Sequence, residues 1–363
     1  MSRRRLLPVT LASAALALAA SCAITPIEDA RQELLRDWGG WLLDRYDQTA
    51  AAADTLETAV EALCADPTAD TLAAARDAWN AARAPWKQAE VFAFGPYTEE
   101  PIRLGPKVDF WPARPETVRA ALEGDEPIDA AFLGAPAKGF AAIELMLWDP
   151  DVDPLTALGD DPRRCEYLAS AIPDLATRVR ELRDVWDPAG DNFLGELTEA
   201  GERQTDYDTL QLAFGEVVNR VGYLVENVRD SKVGKPLGVT TGSAHPEGVE
   251  SPFSARALDD IRDNLAGARR LLLGDGVENL GLDGYLRGRG RFLAPLVEER
   301  FAAVEAAIVA VEETGDPLQV AVIDDPAAVQ ALYDRLGELQ RTVQVDVLSA
   351  LSVTVGFNDA DGD

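Results

Sequence analysis

One carboxylate, Glu144, interrupts an apolar run that extends from Gly139 to Trp148. Burying an ionised carboxylate without a partner is costly, so we expect Glu144 to face a partner or to be protonated. If the run is helical, Ala141 lies one turn earlier and leaves space beside the carboxylate. A ligand site is the functional interpretation of Glu144. An ion pair with a buried arginine in the core is the alternative.

A second polar group follows helical spacing. Arg83, Trp86, Lys87 and Glu90 occur at positions i, i+3, i+4 and i+7, which places all four on one face of a helix. We interpret this face as the polar, aromatic-lined wall of a pocket that ends in Glu90. A ladder of surface ion pairs is the alternative. The apolar residues 91–94 that follow favour a position of Glu90 close to the core.

A third carboxylate, Asp109, lies among large apolar residues in the segment VDFWP, residues 108–112. A buried loop aspartate usually caps backbone donors, and that is the alternative to a role in a site. If Glu90, Asp109 and Glu144 converge, their oxygen-only set suits hard ions such as Ca²⁺, Mg²⁺ or Fe³⁺. We therefore predict these three carboxylates as metal ligands.

We predict no catalytic residue. The chain has one histidine, His245, in a segment rich in Gly, Pro and Ser. It has no HExxH segment, so a zinc-peptidase helix lacks its ligands. A Ser–His–Asp triad would need His245 to reach a serine from that loop.

Helical periodicity dominates the chain and predicts an all-α protein. In the first half we expect helices over residues 27–64, 70–94, 116–122, 136–149 and 162–186. In the second half we expect helices over residues 206–229, 254–272, 291–314 and 326–351, with Asp206 and Ser254 as N-caps. Each half has a long helix, a Gly- and Pro-rich loop and a buried helix. This repetition predicts an internal duplication, with two related helical bundles side by side at residues 23–190 and 191–363.

The first 22 residues predict an export signal, because a basic start precedes an apolar stretch at residues 6–20 and small residues precede Cys22. The segment LAASC at residues 18–22 resembles a lipoprotein cleavage box, which would make Cys22 the lipidated N-terminus. Ordinary cleavage near Ala20 is the alternative. No later apolar run is long enough to span a bilayer, so we expect attachment to the membrane through lipid only.

Export also bears on the two remaining cysteines, Cys64 and Cys165. An oxidising compartment and an even pair favour a disulfide, and two separate buried thiols are the alternative. The chain has 363 residues and a formal net charge of -29. Such a charge repels phosphate backbones, so we expect no nucleic-acid partner.

Several motifs, in this order, resemble those of the imelysin-like proteins. In the first half they are WNAARAPW at 79–86, Glu90 with FGP at 94–96, DFWP at 109–112 and GFAAIE at 139–144. In the second half they are SPFS at 251–254, LDDI at 258–261, DNL at 263–265 and the ending from residue 353 onwards. The family signature is Gly-x-His-x-x-Glu. Gly139 and Glu144 match it, and Ala141 stands at the histidine position.

The resemblance implies an all-helical fold of two related bundles, export to the periplasm or outer membrane, and a link to iron uptake. Family members were once classed as metallopeptidases. Losing a nitrogen ligand at Ala141 weakens a first-row metal site. Hydrolysis becomes less favoured with it, because a metal-activated water needs a firmly held metal.

We therefore predict an outer-membrane lipoprotein that faces the periplasm and binds a ligand between two helical bundles. The resemblance makes iron, another oxygen-liganded cation or a small iron-bearing compound the expected ligand, with an outer-membrane uptake protein as partner. The alternatives are a metal-dependent peptidase and a structural or adaptor lipoprotein with a degenerate pocket. The predicted ligand-binding residues are Arg83, as carboxylate partner or anion contact, Glu90, Asp109, Gly139, Ala141, Glu144, Arg220 and Asn264.

Overall fold

A computed structural model describes residues 27–275, 280–351 and 353 of the chain. The predicted signal segment 1–22, including Cys22, lies outside the described residues. The described residues form helices and no named β-strand, which confirms the all-α prediction. None of the helices within them is long and apolar enough to cross a membrane.

Eight longer helices carry most of the fold. They are α1 (Ile27–Ala65), α2 (Ala69–Ala89), α3 (Gly139–Trp148), α4 (Pro162–Trp186), α5 (Leu210–Glu226), α6 (Ala257–Leu273), α7 (Ala294–Glu312) and α8 (Pro326–Arg341). Shorter α-helical segments are Gly105–Val108, Pro115–Glu123, Pro154–Asp160, Phe193–Thr198, Lys235–Leu237, Leu282–Arg287, Leu318–Asp324 and Leu348–Ala350. 3₁₀ turns occur at Glu90–Phe92, Gly95–Tyr97, Ala130–Phe132, Ala135–Ala137 and Pro246–Gly248, and π-helical turns at Asn227–Gly234 and Thr342–Val347.

The first part of the chain is built around α1, which packs along both α2 and α4. Local signals set the helix starts. The Thr68 hydroxyl accepts from the Thr71 amide at the start of α2, and Asp161 caps α4, whose first residue is Pro162. A disulfide joins Cys64, at the end of α1, to Cys165, in the first turn of α4, with their Cα atoms 5.8 Å apart.

In the second part of the chain, α7 packs on α8, and α5 packs on both α6 and α8. Two predicted N-caps here are wrong. Thr209, not Asp206, caps α5 through the amide of Leu212, so the N-cap lies three residues later than predicted. Helix α6 begins at Ala257 with Arg256 as N-cap, so Ser254 lies before the helix in the preceding loop.

Helices α2 and α6 cross in direct contact, and a glycine makes this possible. A Cβ atom at Gly267 would lie 2.1 Å from the carbonyl oxygen of Gln88, far inside van der Waals contact. The two backbones can therefore approach only because position 267 has no side chain. This crossing brings the polar face of α2 against residues from the second part of the chain. The division into two duplicated bundles at residue 190 stays a prediction.

Candidate functional site

The α2 face that carries Arg83 and Lys87 points into the crossing with α6, where both side chains are buried. The Arg83 Nε donates to both oxygens of Asp260 on α6, at 2.8 and 3.1 Å. Its Nη1 donates to Asp109 Oδ1 at 3.1 Å, and its Nη2 lies 3.5 Å from Glu250 Oε1. Arg83 therefore ties the crossing helix α6 to two loop carboxylates, as a planar five-donor group can.

Lys87, one turn further along α2, is completely buried and meets three carboxylates. Its Nζ lies 2.6 Å from Glu90 Oε1, 2.6 Å from Glu250 Oε1 and 3.4 Å from Asp109 Oδ2. Burial alone would lower the pKa of Lys87, but Glu250, Glu90 and Asp109 outweigh it and raise the pKa well above its usual value. The ammonium of Lys87 is therefore held in its charged form.

A second ammonium reaches the same group from the π-helical segment that continues α5. Lys232 Nζ lies 3.2 Å from Glu90 Oε2, 2.8 Å from Glu250 Oε2 and 2.7 Å from Asn264 Oδ1. The Asn264 amide donates in turn to Glu90 Oε2 and to the Lys87 carbonyl oxygen, each at 2.7 Å. A π turn takes more residues per turn than an α-helix, which changes the face on which later side chains lie, and such turns occur often at functional sites.

We call this set the ion cluster: Arg83, Lys87, Glu90, Asp109, Lys232, Glu250 and Asp260. Two of its carboxylates, Glu250 and Glu90, are held in their ionised form despite burial. Burial raises the pKa of Glu250, but Lys232, Lys87 and Arg83 outweigh it, so the pKa falls below the usual range. Lys232 and Lys87 likewise outweigh the effect of burial on Glu90, whose pKa is also lowered. Arg256 also contacts Asp260, so four cations face the four carboxylates of the cluster.

Glu90, Asp109 and Glu250 each offer one oxygen to a group whose ligand atoms all lie within 4.8 Å of one another. Such an oxygen-only set suits a hard cation. However, the Lys87 ammonium already contacts one oxygen of each carboxylate. A bare metal ion therefore does not fit between these carboxylates while Lys87 holds its place.

The structure brings two of the three predicted metal ligands, Glu90 and Asp109, into this group, but the third member is Glu250. Glu144 is directed elsewhere. It is 1% exposed, and its Oε1 accepts from the Phe253 amide at 3.1 Å, the Ser254 amide at 2.7 Å and the Ser254 hydroxyl at 2.6 Å. Burial raises the pKa of Glu144 to about 7, although the Ser254 hydrogen bonds and the Arg83 charge act in the opposite direction.

Gly139 and Ala141 share helix α3 with Glu144. Gly139 has φ +76°, and a Cβ there would lie 2.2 Å from the Val108 carbonyl oxygen. Glycine is therefore required both for the backbone conformation and for the close approach of α3 to the loop that carries Asp109. Ala141 is half-buried, one turn before Glu144. Gly139 thus seats α3 against that loop, and neither Gly139 nor Ala141 lines the cavity described next.

A cavity of about 410 Å³ opens beside the ion cluster. Its walls come from α5, from the π-helical segment and from the irregular segment between Glu90 and Trp111. The lining includes Glu90, Tyr97, Asp109, Arg220, Lys232 and Glu250. The Arg220 guanidinium lies between two rings, 5.1 Å from the centroid of Phe94 and 5.2 Å from that of Tyr223. We call this space the Glu90 cavity.

Of the residues predicted to bind a ligand, Glu90, Asp109 and Arg220 line the Glu90 cavity, and Arg83 and Asn264 lie behind its wall in contact with them. Two charged residues that line the cavity, Glu250 and Lys232, were missed. Both lie in the Gly- and Pro-rich stretch of the second half, where periodicity gives no signal. The remaining clue was position, since Glu250 directly precedes the SPFS motif at residues 251–254.

The chain is similar to known proteins in both sequence and fold. The imelysin family model matches residues 42–343. Iron-regulated protein A of Synechococcus elongatus is 30% identical over 305 residues, which cover 80% of this chain and 80% of that protein. The chain therefore belongs to the imelysin family.

Two solved structures share its fold. One is a crystal structure designated an iron-regulated protein A precursor, from Parabacteroides distasonis, and the other is an imelysin-like protein from Psychrobacter arcticum 273-4. Each has a TM-score of 0.73 and 20% sequence identity, and each alignment covers 91% of this chain. The alignments cover 97% and 98% of the two solved chains.

Proposed function

We propose that this protein binds a small iron-bearing ligand in the Glu90 cavity and serves iron uptake or handling. The relation to iron comes from the family, in which one relative is named as iron-regulated. The observation that carries the proposal is the cavity itself. Its volume of about 410 Å³ lies within the range of small-molecule sites, and carboxylates, cations and aromatic rings all reach its wall.

The form of the iron follows from Lys87. Because its ammonium contacts all three clustered carboxylates, the wall presents neutralised ion pairs and not free metal ligands. Iron would therefore enter as cargo with oxygen ligands of its own. The same occupancy by Lys87 gives no support to a metal-dependent peptidase, whose metal would need open protein ligands.

The proposal includes the cellular setting. We propose export and lipid attachment at Cys22, with the cavity facing the periplasm and an outer-membrane uptake protein as partner. The Cys64–Cys165 disulfide supports an oxidising compartment. Mass spectrometry of the N-terminal peptide from membranes tests this. The proposal expects a diacylglyceryl mass on Cys22 that Cys22→Ala abolishes, and an unmodified peptide cleaved near Ala20 would contradict it.

Filling the cavity tests the binding function. Ala93 lines the cavity, so Ala93→Trp should occupy part of its volume, whereas Ala51→Trp on the exposed side of α1 should not. Untagged wild-type protein should retain iron after gel filtration with ferric citrate, as measured by elemental analysis. We expect Ala93→Trp to lose at least tenfold in affinity and Ala51→Trp to match the wild type. Equal iron retention by all three proteins, or none by the wild type, would contradict the proposal.

A further inference from the structure

We infer that the Glu90 cavity recognises the oxyanion of its ligand through Arg220, so that a small carboxylate or hydroxycarboxylate chelator binds with or without its iron. This inference rests on the proposed function and specifies the chemical class of the ligand. It follows from the hydrogen-bonding capacity that the wall has left once the ion cluster has formed.

The two lysines of the ion cluster have no hydrogen-bond donor to spare. Lys87 and Lys232 each have three N–H donors, and each ammonium has three oxygen partners among the described residues. Neither lysine therefore has a donor left for a ligand. The carboxylates they contact are neutralised in turn, so this part of the wall offers little attraction to a cation or an anion.

Arg220 does have a hydrogen-bond donor to spare. Its Nε, at 2.7 Å, and its Nη2 both donate to the same oxygen of Glu216, one helical turn earlier. Among the described residues no acceptor contacts Nη1. The side chain is 28% exposed and lines the cavity, and the rings of Phe94 and Tyr223 pack against its guanidinium. A guanidinium held in this way is pre-organised to donate to a carboxylate.

Trp111 and Asn227 add further polar groups to the cavity wall. The Trp111 Nε1 is buried and donates to no acceptor of the described residues, and Trp111 lines the same cavity. Asn227 lines it as well, and its amide can both donate and accept. Arg220 Nη1 and Trp111 Nε1 can only donate. Donors call for a ligand rich in oxygen acceptors. In a ferric hydroxycarboxylate, those same oxygens hold the iron.

Isothermal titration calorimetry with two probes, ferric citrate and metal-free citrate, tests the inference. We compare wild type with Arg220→Gln and Arg220→Lys. The matched control is Arg229→Gln, since Arg229 also stacks on a ring, 4.2 Å from the Tyr333 centroid, but does not line the cavity. We expect Arg220→Gln to weaken binding of both probes at least tenfold. Arg220→Lys should restore part of the affinity, and Arg229→Gln should leave it unchanged. Equal melting temperatures of the variants at pH 7 exclude unfolding as the cause.

The outcomes separate the two proposals. If wild type binds ferric citrate and Arg220→Gln binds it equally well, the inference is overturned while iron binding stands. If wild type binds metal-free citrate through Arg220 but never the ferric complex, the oxyanion site stands and the iron function fails. If wild type binds neither probe, both fail.

Discussion

Two buried glutamates meet at one loop, residues 250–254, and the protein accommodates them in opposite ways: Glu250 begins the loop, and Glu144 contacts its end. Glu250 meets two ammonium groups and a guanidinium, and its pKa falls below the usual range. Glu144 meets two backbone amides and a hydroxyl, and burial raises its pKa to about 7. Both are almost inaccessible to water. The charge of the partner, not the degree of burial, decides the protonation of the carboxylate.

The difference assigns different roles to the two ends of the loop. At the Glu250 end, fixed charges form part of the cavity wall. At the other end, Glu144 accepts hydrogen bonds from the amides of Phe253 and Ser254, and we call this contact the clamp. Between the two ends of the loop, Ser251 Oγ donates to Asp260 Oδ2 at 2.5 Å. Glu144 is therefore a positioning residue that holds the loop carrying Glu250. Its signature glycine, Gly139, contributes by seating α3 against the Asp109 loop.

Removing the fixed charge should have the largest effect. Lys87→Met leaves Glu90, Asp109 and Glu250 without the ammonium they share, and breaking a buried pair in this way typically costs about 3–5 kcal/mol. Urea unfolding at pH 7 measures the loss. The control Lys235→Met removes an exposed lysine a few residues beyond Lys232, and should change stability by less than about 0.5 kcal/mol. Similar losses in both variants would show that the cluster does not depend on Lys87.

Changing the titrating clamp should have a smaller, pH-dependent effect. Because the folded-state pKa of Glu144, about 7, lies above its ordinary value of 4.5, the native state binds the extra proton between these pH values. Protonated Glu144 therefore contributes stability that is lost as the pH rises from 4.5 to 7. Glu144→Gln keeps an acceptor oxygen for the loop and does not titrate. Its stability relative to wild type should rise by roughly 3 kcal/mol across this window, at 1.36 kcal/mol per pKa unit.

Unfolding curves of wild type and Glu144→Gln at several pH values between 4.5 and 8 measure this difference, in which the titration of all other groups cancels. Glu250 supplies the opposite behaviour. Its lowered pKa gives stability that is present above pH 4.5 and lost as the pH falls below it. A difference between the two proteins that stays constant from pH 4.5 to 7 would contradict the raised pKa of Glu144.

The smallest expected effect comes from one hydrogen bond of the clamp. Ser254→Ala removes the hydroxyl that donates to Glu144 Oε1 at 2.6 Å but leaves both backbone amides in place. We expect a loss of about 1–2 kcal/mol at pH 8, where Glu144 is ionised, since hydrogen bonds to charged groups are worth somewhat more than neutral ones. Ser349→Ala, at an exposed position, is the control. A loss equal to that of the control would mean that the hydroxyl does not support the clamp.

How much the sequence reveals depends on local periodicity. The spacing of Arg83, Lys87 and Glu90 placed the first two correctly on one face of α2, with Glu90 directly after the helix, and Asp161-Pro162 marked the start of α4. Helix periods and caps are short-range, so they can be read directly. The same reliance on short-range signals gave the wrong N-cap prediction for Ser254. Its hydroxyl has the chemistry of an N-cap, but a long-range partner, Glu144, accepts from it and α6 begins later.

The rest of the site depends on features without a periodic signal. Lys232 reaches the cluster through a π-helical segment, whose altered turn cannot be read from residue spacing. Glu250 lies in a loop that is held by a hydrogen bond from Phe253 to Glu144. Glu144 is more than a hundred residues earlier in the chain, so the contact is long-range. Glu144 itself was identified as unusual, but an isolated buried carboxylate is equally consistent with a metal, an arginine or backbone donors. Only the tertiary structure distinguishes these partners.

The position of iron in a crystal of the protein soaked with ferric citrate tests the central claim most directly, through an anomalous difference map at the iron absorption edge. We predict one peak in the Glu90 cavity, beside Arg220, with the Lys87 ammonium still in contact with Glu90, Asp109 and Glu250. A peak about 2.0–2.6 Å from oxygens of those three carboxylates, with Lys87 displaced, would contradict it, because the protein itself would then be the chelator.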